Sequence, residues 1–208
     1  MSALENPAGL LLLMSDAPAR EEAASATMAA LIVRARSGDL DAFDLLMAEL
    51  GDRVFRTARN LLGSPADAQD AVQETFLRFY RSLDRFDAER DPAPWLYRLT
   101  LNACHDFNRK RSWKRWLSLD ALKGERPDPS PGPYRQALAG EQRQLIREGL
   151  GKLSAGERAA VVLREIEGLS ARQAAEAMAC SETTVRSHAS RGRAKLRAYL
   201  EARGGGPR

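Results

Sequence analysis

A chain of 208 residues has room for one or two domains. Aromatic residues are only 6% and charged residues 29%, and Ala, Leu and Arg dominate, a composition that favours helices. No alternating β-branched run is long enough for a sheet, and two cysteines, Cys104 and Cys180, exclude a disulfide framework and point to the cytoplasm. The net charge of +4 is unevenly spread: Met1 to Met28 carries four acids and one arginine, −3 in all, which leaves +7 on the remainder. A basic body points to nucleic acid or an acidic surface.

Leu10 to Leu13 is too short for the core of a signal peptide and cannot span a membrane, so no membrane insertion is expected. Residues 1–28 are expected to form a disordered extension rich in Ala, Ser and Glu, with Met14 and Met28 as alternative starts. Leu31, Ile32 and Ala35 predict a short helix ending at Gly38. Phe43, Leu46, Met47, Leu50, Val54, Ala58 and Leu61 keep helical spacing from Asp39 to Leu62 despite Gly51. Gly63 stops that helix, and Ser64-Pro65-Ala66-Asp67 restarts one with an N-cap, a proline at N1 and an acid at N3. Ala68, Val72, Phe76, Phe79 and Leu83 form its buried stripe; Asp70, Gln73, Glu74, Leu77 and Arg81 lie on the other side.

Asp87 to Pro94 reads as a loop, and Trp95 to Arg111 as a fourth helix with Trp95, Leu96, Leu99, Ala103 and Phe107 inside. Its other side carries Arg98, Asn102, Asp106, Arg109 and Lys110 and runs into basic residues interleaved with Trp113 and Trp116, a composition suited to phosphates and stacked bases. Residues 117–140, with Pro127, Pro129, Pro131 and Pro133, predict an extended linker between two helical domains, residues 29–116 and 141–203, and residues 204–208 a tail.

In the second domain Leu145, Ile146 and Leu150 share a face, and Ser154 with Glu157 forms a capping box that opens a helix through Val161, Val162 and Ile166. Ser170 with Gln173 forms another, opening the Ala-rich helix Ala171 to Met178. Ala179-Cys180 then makes a turn, Ser181 caps the next helix, and Val185 follows Ala175 by ten residues, the packing pattern of a helix-turn-helix. The second of these helices carries Arg186, Ser187, Ser190, Arg191, Arg193, Lys195 and Arg197, which suits a major groove. Cys104, His105, Cys180 and His188 are the only Cys and His residues. Their spacing does not match zinc ligands, and no metal or cofactor is expected. The expected fold is all-α, two small helical domains joined by a Pro-rich flexible linker, the second a helix-turn-helix domain.

Several ordered strings resemble one family. Asp67-Ala-Gln-Asp-Ala-Val-Gln-Glu-Thr-Phe76 resembles the core-binding segment of bacterial sigma factors, and Trp95-Leu-Tyr-Arg-Leu-Thr-Leu-Asn102 the promoter-melting segment of their extracytoplasmic-function group. Leu163-Arg-Glu-Ile-Glu-Gly-Leu-Ser170 and Thr184-Val-Arg-Ser187 resemble the fourth conserved region of that group. The resemblance implies that Asp70, Gln73, Glu74 and Leu77 contact core RNA polymerase. It implies that Arg98, Asn102, Asp106, Arg109 and Lys110 serve the minus-ten promoter DNA, and that Arg186, Ser187, Ser190, Arg191, Arg193 and Lys195 serve the minus-thirty-five DNA. An anti-sigma factor is implied as a further partner.

Three positions depart from the group: Ala179 replaces a turn glycine, Ala189 a bulkier apolar residue, and Gly192 sits inside the recognition helix. A left-handed Ala179 is strained by roughly 1 kcal/mol, and Gly192 costs roughly 1 kcal/mol relative to Ala. A free-standing helix-turn-helix regulator explains Ala171 to Arg197 but leaves the outer face of the third helix and the Trp95 to Trp116 stretch without a purpose. An enzyme is not expected, because no phosphate loop, metal-binding carboxylate cluster or nucleophile with an adjacent base is present.

Overall fold

The computed structural model describes residues 28–87, 90–117 and 134–203, with side chains for all of these except 110–117 and 134–141. The expected N-terminal extension up to residue 27, most of the linker, the C-terminal tail and the side chains of Lys110, Trp113 and Trp116 lie outside the described residues. The described residues form eight α-helices and no strand: α1 (28–36), α2 (Leu40–Leu62), α3 (Pro65–Ser82), α4 (Pro92–Leu117), α5 (Tyr134–Gly151), α6 (Ala155–Val161), α7 (Ala171–Met178) and α8 (Glu182–Ala202). A 3₁₀ turn, Leu83–Arg85, closes α3, and one wide π turn, Val162–Ile166, extends α6.

Local chemistry starts and stops these helices. The Asp39 carboxylate accepts from the Ala42 N–H, and the Ser64 hydroxyl from the Asp67 N–H, with Pro65 at N1. Gly63, at φ 83°, ends α2 in a conformation open to glycine. Both expected capping boxes are present, Ser154 with Glu157 and Ser170 with Gln173.

Helix α4 begins at Pro92, earlier than the expected Trp95, and runs on to Leu117. Prolines are tolerated in a first turn, where their missing N–H has no partner to lose, and Asp91 caps the helix by accepting from the Ala93 N–H. Helix α5 likewise begins at Tyr134, directly after Pro133, because Arg135 to Ala139 are all good helix formers.

The stripes of α1 to α4 enclose one core built on Ile32, Leu46, Leu50, Val54, Phe79 and Leu96. Burial of each such side chain is worth about 1.5–3 kcal/mol. Trp95 stacks on Phe86 with ring centroids 4.7 Å apart and lies 4.9 Å from Phe79, tying the end of the 3₁₀ turn and the start of α4 to the core. Met47 and Ile146, expected inside, are 40% and 37% exposed, each on the shoulder of its stripe.

The two halves of the chain pack on each other. Ala58, Leu61, Leu62 and Cys104 share a core cluster with Leu150, Leu153, Ala159, Val161 and Val162. Ala93, Tyr97 and Leu101 of α4 join a third cluster with Ala174, Ala177 and Met178 of α7. Burial pushes the Cys104 thiol up to about 12, so it behaves as a small apolar core residue.

Ala179 links α7 to α8 and is left-handed, at φ 52° and ψ 45°. An L side chain there costs about 1–2 kcal/mol, against the roughly 0.5–1 kcal/mol that glycine loses through its freer unfolded state. Ala179→Gly is therefore expected to raise stability by about 0.5–1 kcal/mol, read as a higher urea midpoint with an unchanged m value. An equal or lower midpoint would show that the turn holds no such strain.

Candidate nucleic-acid and partner surfaces

Helix α8 has two chemically distinct sides. Val185, Ala189 and Gly192 are buried, whereas Arg186, Ser187, Ser190, Arg191, Arg193 and Lys195 are exposed. The turn at Ala179 and the N-cap at Ser181, whose hydroxyl accepts from the Thr184 N–H at 3.1 Å, fix this orientation. Gly192 lies where α8 crosses α6: a β-carbon there would meet Val161 Cγ2 at 2.6 Å and the Glu157 carbonyl oxygen at 3.1 Å. The glycine that looked like a weakness from helix propensity is what permits the crossing.

The basic residues of α8 are not equally available. Arg186 pairs with Glu182, one turn back on the same exposed side. Arg191 donates to His188 Nδ1 at 3.3 Å. Arg193 reaches Glu165 at 3.2 Å. Lys195 points back to the body, its Nζ donating to both carboxylate oxygens of Glu157 at 2.8 and 2.9 Å. It thus holds an internal carboxylate, a role its sequence position does not reveal.

The Lys195 ammonium, helped by the Ser154 N–H, holds the Glu157 carboxyl at about 2, well below its usual 4.5. A folded-state value below the unfolded one means that the stabilisation is fully present above pH 4.5 and is lost as pH falls from there to about 2. Glu157→Gln, which retains a capping acceptor, is expected to flatten the fall of melting temperature between pH 5 and pH 3. An identical slope in the two proteins would remove Glu157 from the acid response.

On α3, Asp70 and Gln73 are exposed and Leu77 is 50% exposed, with Tyr80 beside it at 49%. Glu74, expected to face solvent freely, is only partly exposed. Arg78 donates to it at 2.7 Å and to Asp106 of α4 at 2.8 Å. Arg78 also holds the Asp106 carboxyl below its usual range, aided by Arg109 at 3.3 Å. Glu74 and Asp106 are thus tied to one guanidinium that joins α3 to α4, and a charge reversal at Glu74 would disturb this joint as well as any partner contact.

Arg98 and Asn102 are exposed on α4 but face a cleft of about 520 Å³. Its opposite wall is made by Gly156 and Ala159 of α6, Ala177 and Met178 of α7, and Ala179. Of the expected minus-ten residues, Arg98 and Asn102 therefore look across at the helix-turn-helix, whereas Asp106 faces Arg78 of α3.

Beside this cleft is a polar node spanning both halves. Glu167, whose side chain is 1% exposed, accepts from Thr57 Oγ1 at 2.9 Å, from the Tyr97 hydroxyl at 3.0 Å and from Arg56 at 3.2 and 3.4 Å. Arg53 donates in turn to the Tyr97 hydroxyl at 3.1 Å. Burial, with the adjacent Glu167 charge, raises the Tyr97 hydroxyl to about 12, so it stays a donor. Arg158 Nη1 donates across to the Leu61 carbonyl at 2.7 Å, Gln173 to Asp91 at 2.8 Å, and Arg90 pairs with Glu176.

Sequence reasoning missed Arg56, Thr57, Tyr97 and Glu167. One signal was present: Ala93, Tyr97, Leu101 and Cys104 form a second apolar stripe on α4, at spacings of four, four and three, which needs a second partner.

Among the described residues no group of three or more His, Cys, Asp or Glu is placed to hold a metal ion, and no helix is long and apolar enough to cross a membrane. Two family models match the chain, sigma-70 region 2 over residues 46–114 and sigma-70 region 4 over residues 143–196. The chain is 34% identical over 175 residues to the RNA polymerase sigma factor NccH of Alcaligenes xylosoxydans xylosoxydans, covering 83% of this chain and 94% of that one. It is 31% identical over 172 residues to the ECF RNA polymerase sigma-E factor of Haemophilus influenzae, covering 79% and 90%. The fold is similar to that of the sigma factor RpoE in its complex with the anti-sigma factor NepR from Bartonella quintana, with a TM-score of 0.66, 26% identity and coverage of 76% and 96%. Two matched sigma regions, relatives aligned along most of their length and a shared helical architecture agree: the chain belongs to the RNA polymerase sigma factors of the extracytoplasmic-function (ECF) type.

Proposed function

We propose that this sigma factor binds core RNA polymerase through the outer face of α3, with Asp70, Gln73 and Leu77 as the exposed contacts and Glu74 set by Arg78. The minus-ten element is read by α4 through Arg98 and Asn102, with Arg109 and Lys110 toward phosphates and Asp106 holding the Arg78 joint. The minus-thirty-five element is read by α8, with Arg186, Ser187, Ser190 and Arg191 at the bases and Arg193 at the backbone. Residues 29–116 and 141–203 are the two working domains. The protein acts as an initiation factor in the cytoplasm and catalyses no reaction itself. An anti-sigma factor holds it in reserve, as one is found with RpoE of Bartonella quintana.

The observation that carries this reading is the two-sidedness of α8: its apolar side is buried while Arg186, Ser187, Ser190 and Arg191 all stay exposed. A helix so placed presents bidentate donors and hydroxyls to base edges. The test is run-off transcription with purified core polymerase, with and without the full chain. Promoter-dependent transcripts only in its presence support the reading. Tight operator binding without polymerase, and no stimulated initiation, would replace it with a free-standing regulator.

A further inference from the structure

The cleft of about 520 Å³ has two unlike walls. One is the edge of α4 that carries Arg98, Asn102, His105 and Asn108, all exposed. Among the described residues none of these four side chains makes a hydrogen bond or an ion pair. The other wall is small and apolar: Ala155, Gly156 and Ala159 of α6, then Ala177, Met178 and Ala179. Side chains this short leave a flat surface on which a ring can lie.

The charge of the cleft is one-sided, for its lining holds two arginines and no acid. Arg158 gives its Nη atoms to the backbone carbonyls of Leu61, Gly151 and Leu153, and its Nε is buried without a partner. Its charge thus meets dipoles but no carboxylate, and burial holds it below the usual arginine range. Arg98 also borders a smaller cleft, where Asp87, Asp91 and Glu176 are engaged elsewhere, the last two by Gln173 and Arg90. A positive cleft with no acid of its own attracts an anion.

Size and polarity narrow the occupant. Three turns of a helix about 10 Å across would fill roughly 1,300 Å³, more than twice the cleft, whereas small-molecule sites run to about 300–1,000 Å³. A simple anion would engage Arg98 and leave the neighbouring amides and the apolar wall unused. A nucleobase edge carries donors and acceptors together, the pattern that an asparagine amide answers. Arg98 to Asn102 to His105 follows one side of α4 over roughly 10 Å, room for a phosphate, a sugar and a base in file.

We propose that this cleft is a nucleotide site, taking a nucleoside monophosphate with its phosphate on Arg98, its base edge on the Asn102 amide and its ring laid on the small-residue wall of α6 and α7. The site uses two residues that also carry the minus-ten reading. Binding by the free chain is measured without DNA or polymerase, so its outcome is separate from that reading.

The test is isothermal titration of the full chain with AMP, GMP, CMP and UMP in turn, and with the matching nucleosides and inorganic phosphate. Salt at about 0.15 M screens exposed charges beyond ~8 Å and suppresses loose binding to the basic face of α8. At least one monophosphate should bind one to one, and its nucleoside and phosphate alone about tenfold or more weakly. Arg98→Ala should weaken that monophosphate about tenfold or more and leave the nucleoside unchanged, whereas Asn102→Ala should weaken both. Ala155→Phe fills the cleft from its exposed opposite wall and should abolish binding with helix content unchanged.

No heat from any of the four monophosphates at millimolar concentration overturns the site. So does phosphate that binds as tightly as the nucleotides, which would make the cleft a general anion trap. Binding that survives Ala155→Phe in a folded protein would place the nucleotide elsewhere and overturn it equally.

Discussion

Gly192→Ala lowers the stability of the C-terminal half by about 1–2 kcal/mol, although helix propensity alone favours the alanine by roughly 1 kcal/mol. The reason is the crossing of α6 and α8, where the added β-carbon would lie 2.6 Å from Val161 Cγ2 and 3.1 Å from the backbone oxygen of Glu157. The valine has a side chain that can turn, but the carbonyl belongs to a helix and cannot give way alone. The two helices must then separate, loosening Val161, Val185 and Ala189, all of which are buried. Urea unfolding followed by helical circular dichroism measures the loss. Val161→Ala should recover part of it in the double variant, since the two sites are in contact. A midpoint equal to or above that of the wild type would show that α8 slides on α6 without cost.

Arg186→Ala and Arg191→Ala are each expected to weaken promoter binding by the polymerase complex by about 1–3 kcal/mol, roughly tenfold or more, and to relax preference at individual base pairs. The present partner of Arg186, Glu182, lies on the same helix; Arg191 adds to its bond with His188 a 4.0 Å approach to Glu157 of α6, whose carboxylate Lys195 still holds, so both guanidiniums can turn to DNA without breaking the fold. Arg193→Ala should instead weaken all sequences about equally and reduce the salt dependence, as expected for a phosphate contact. Lys195 is not a clean test of phosphate binding, because its removal strips Glu157 of its main partner. A panel of single-base promoter variants at two salt concentrations separates the classes. Uniform losses for Arg186→Ala and Arg191→Ala across the panel would assign them to the backbone.

The parts of this fold that were legible in the sequence are those with a local cause. Ser154 with Glu157, Ser170 with Gln173, the Ser64-Pro65 start and the inward Val185 are all set within a few residues of their partners. The exposed side of α8 followed from the same spacing. Illegible were the features whose cause lies far along the chain. Glu167 meets Thr57 and Tyr97 across 110 and 70 residues, and nothing in the string from Leu163 to Ser170 marks that glutamate as buried. Lys195 read as one more base on a basic helix until Glu157, 38 residues earlier, was placed beside it. Gly192 carried the opposite sign in sequence and in structure, because propensity sees only its own helix.

The π turn at Val162–Ile166 carries a consequence for how the chain tolerates changes of length. Its closing bond, from the Glu167 N–H to the Val162 carbonyl at 3.0 Å, spans one residue more than an α-helical bond does. Because the wide turn absorbs that extra residue, a further residue inserted into the regular winding of α6 ahead of it, with nothing to absorb it, would swing whatever follows by about 100° around the axis. Glu167 would then point away from Thr57 and Tyr97 with every side chain of the node intact. Coupling between the halves is thus set by a count of residues as much as by their chemistry. In a relative with one such residue more in α6, the node would come apart even where the glutamate, the threonine and the tyrosine are all retained.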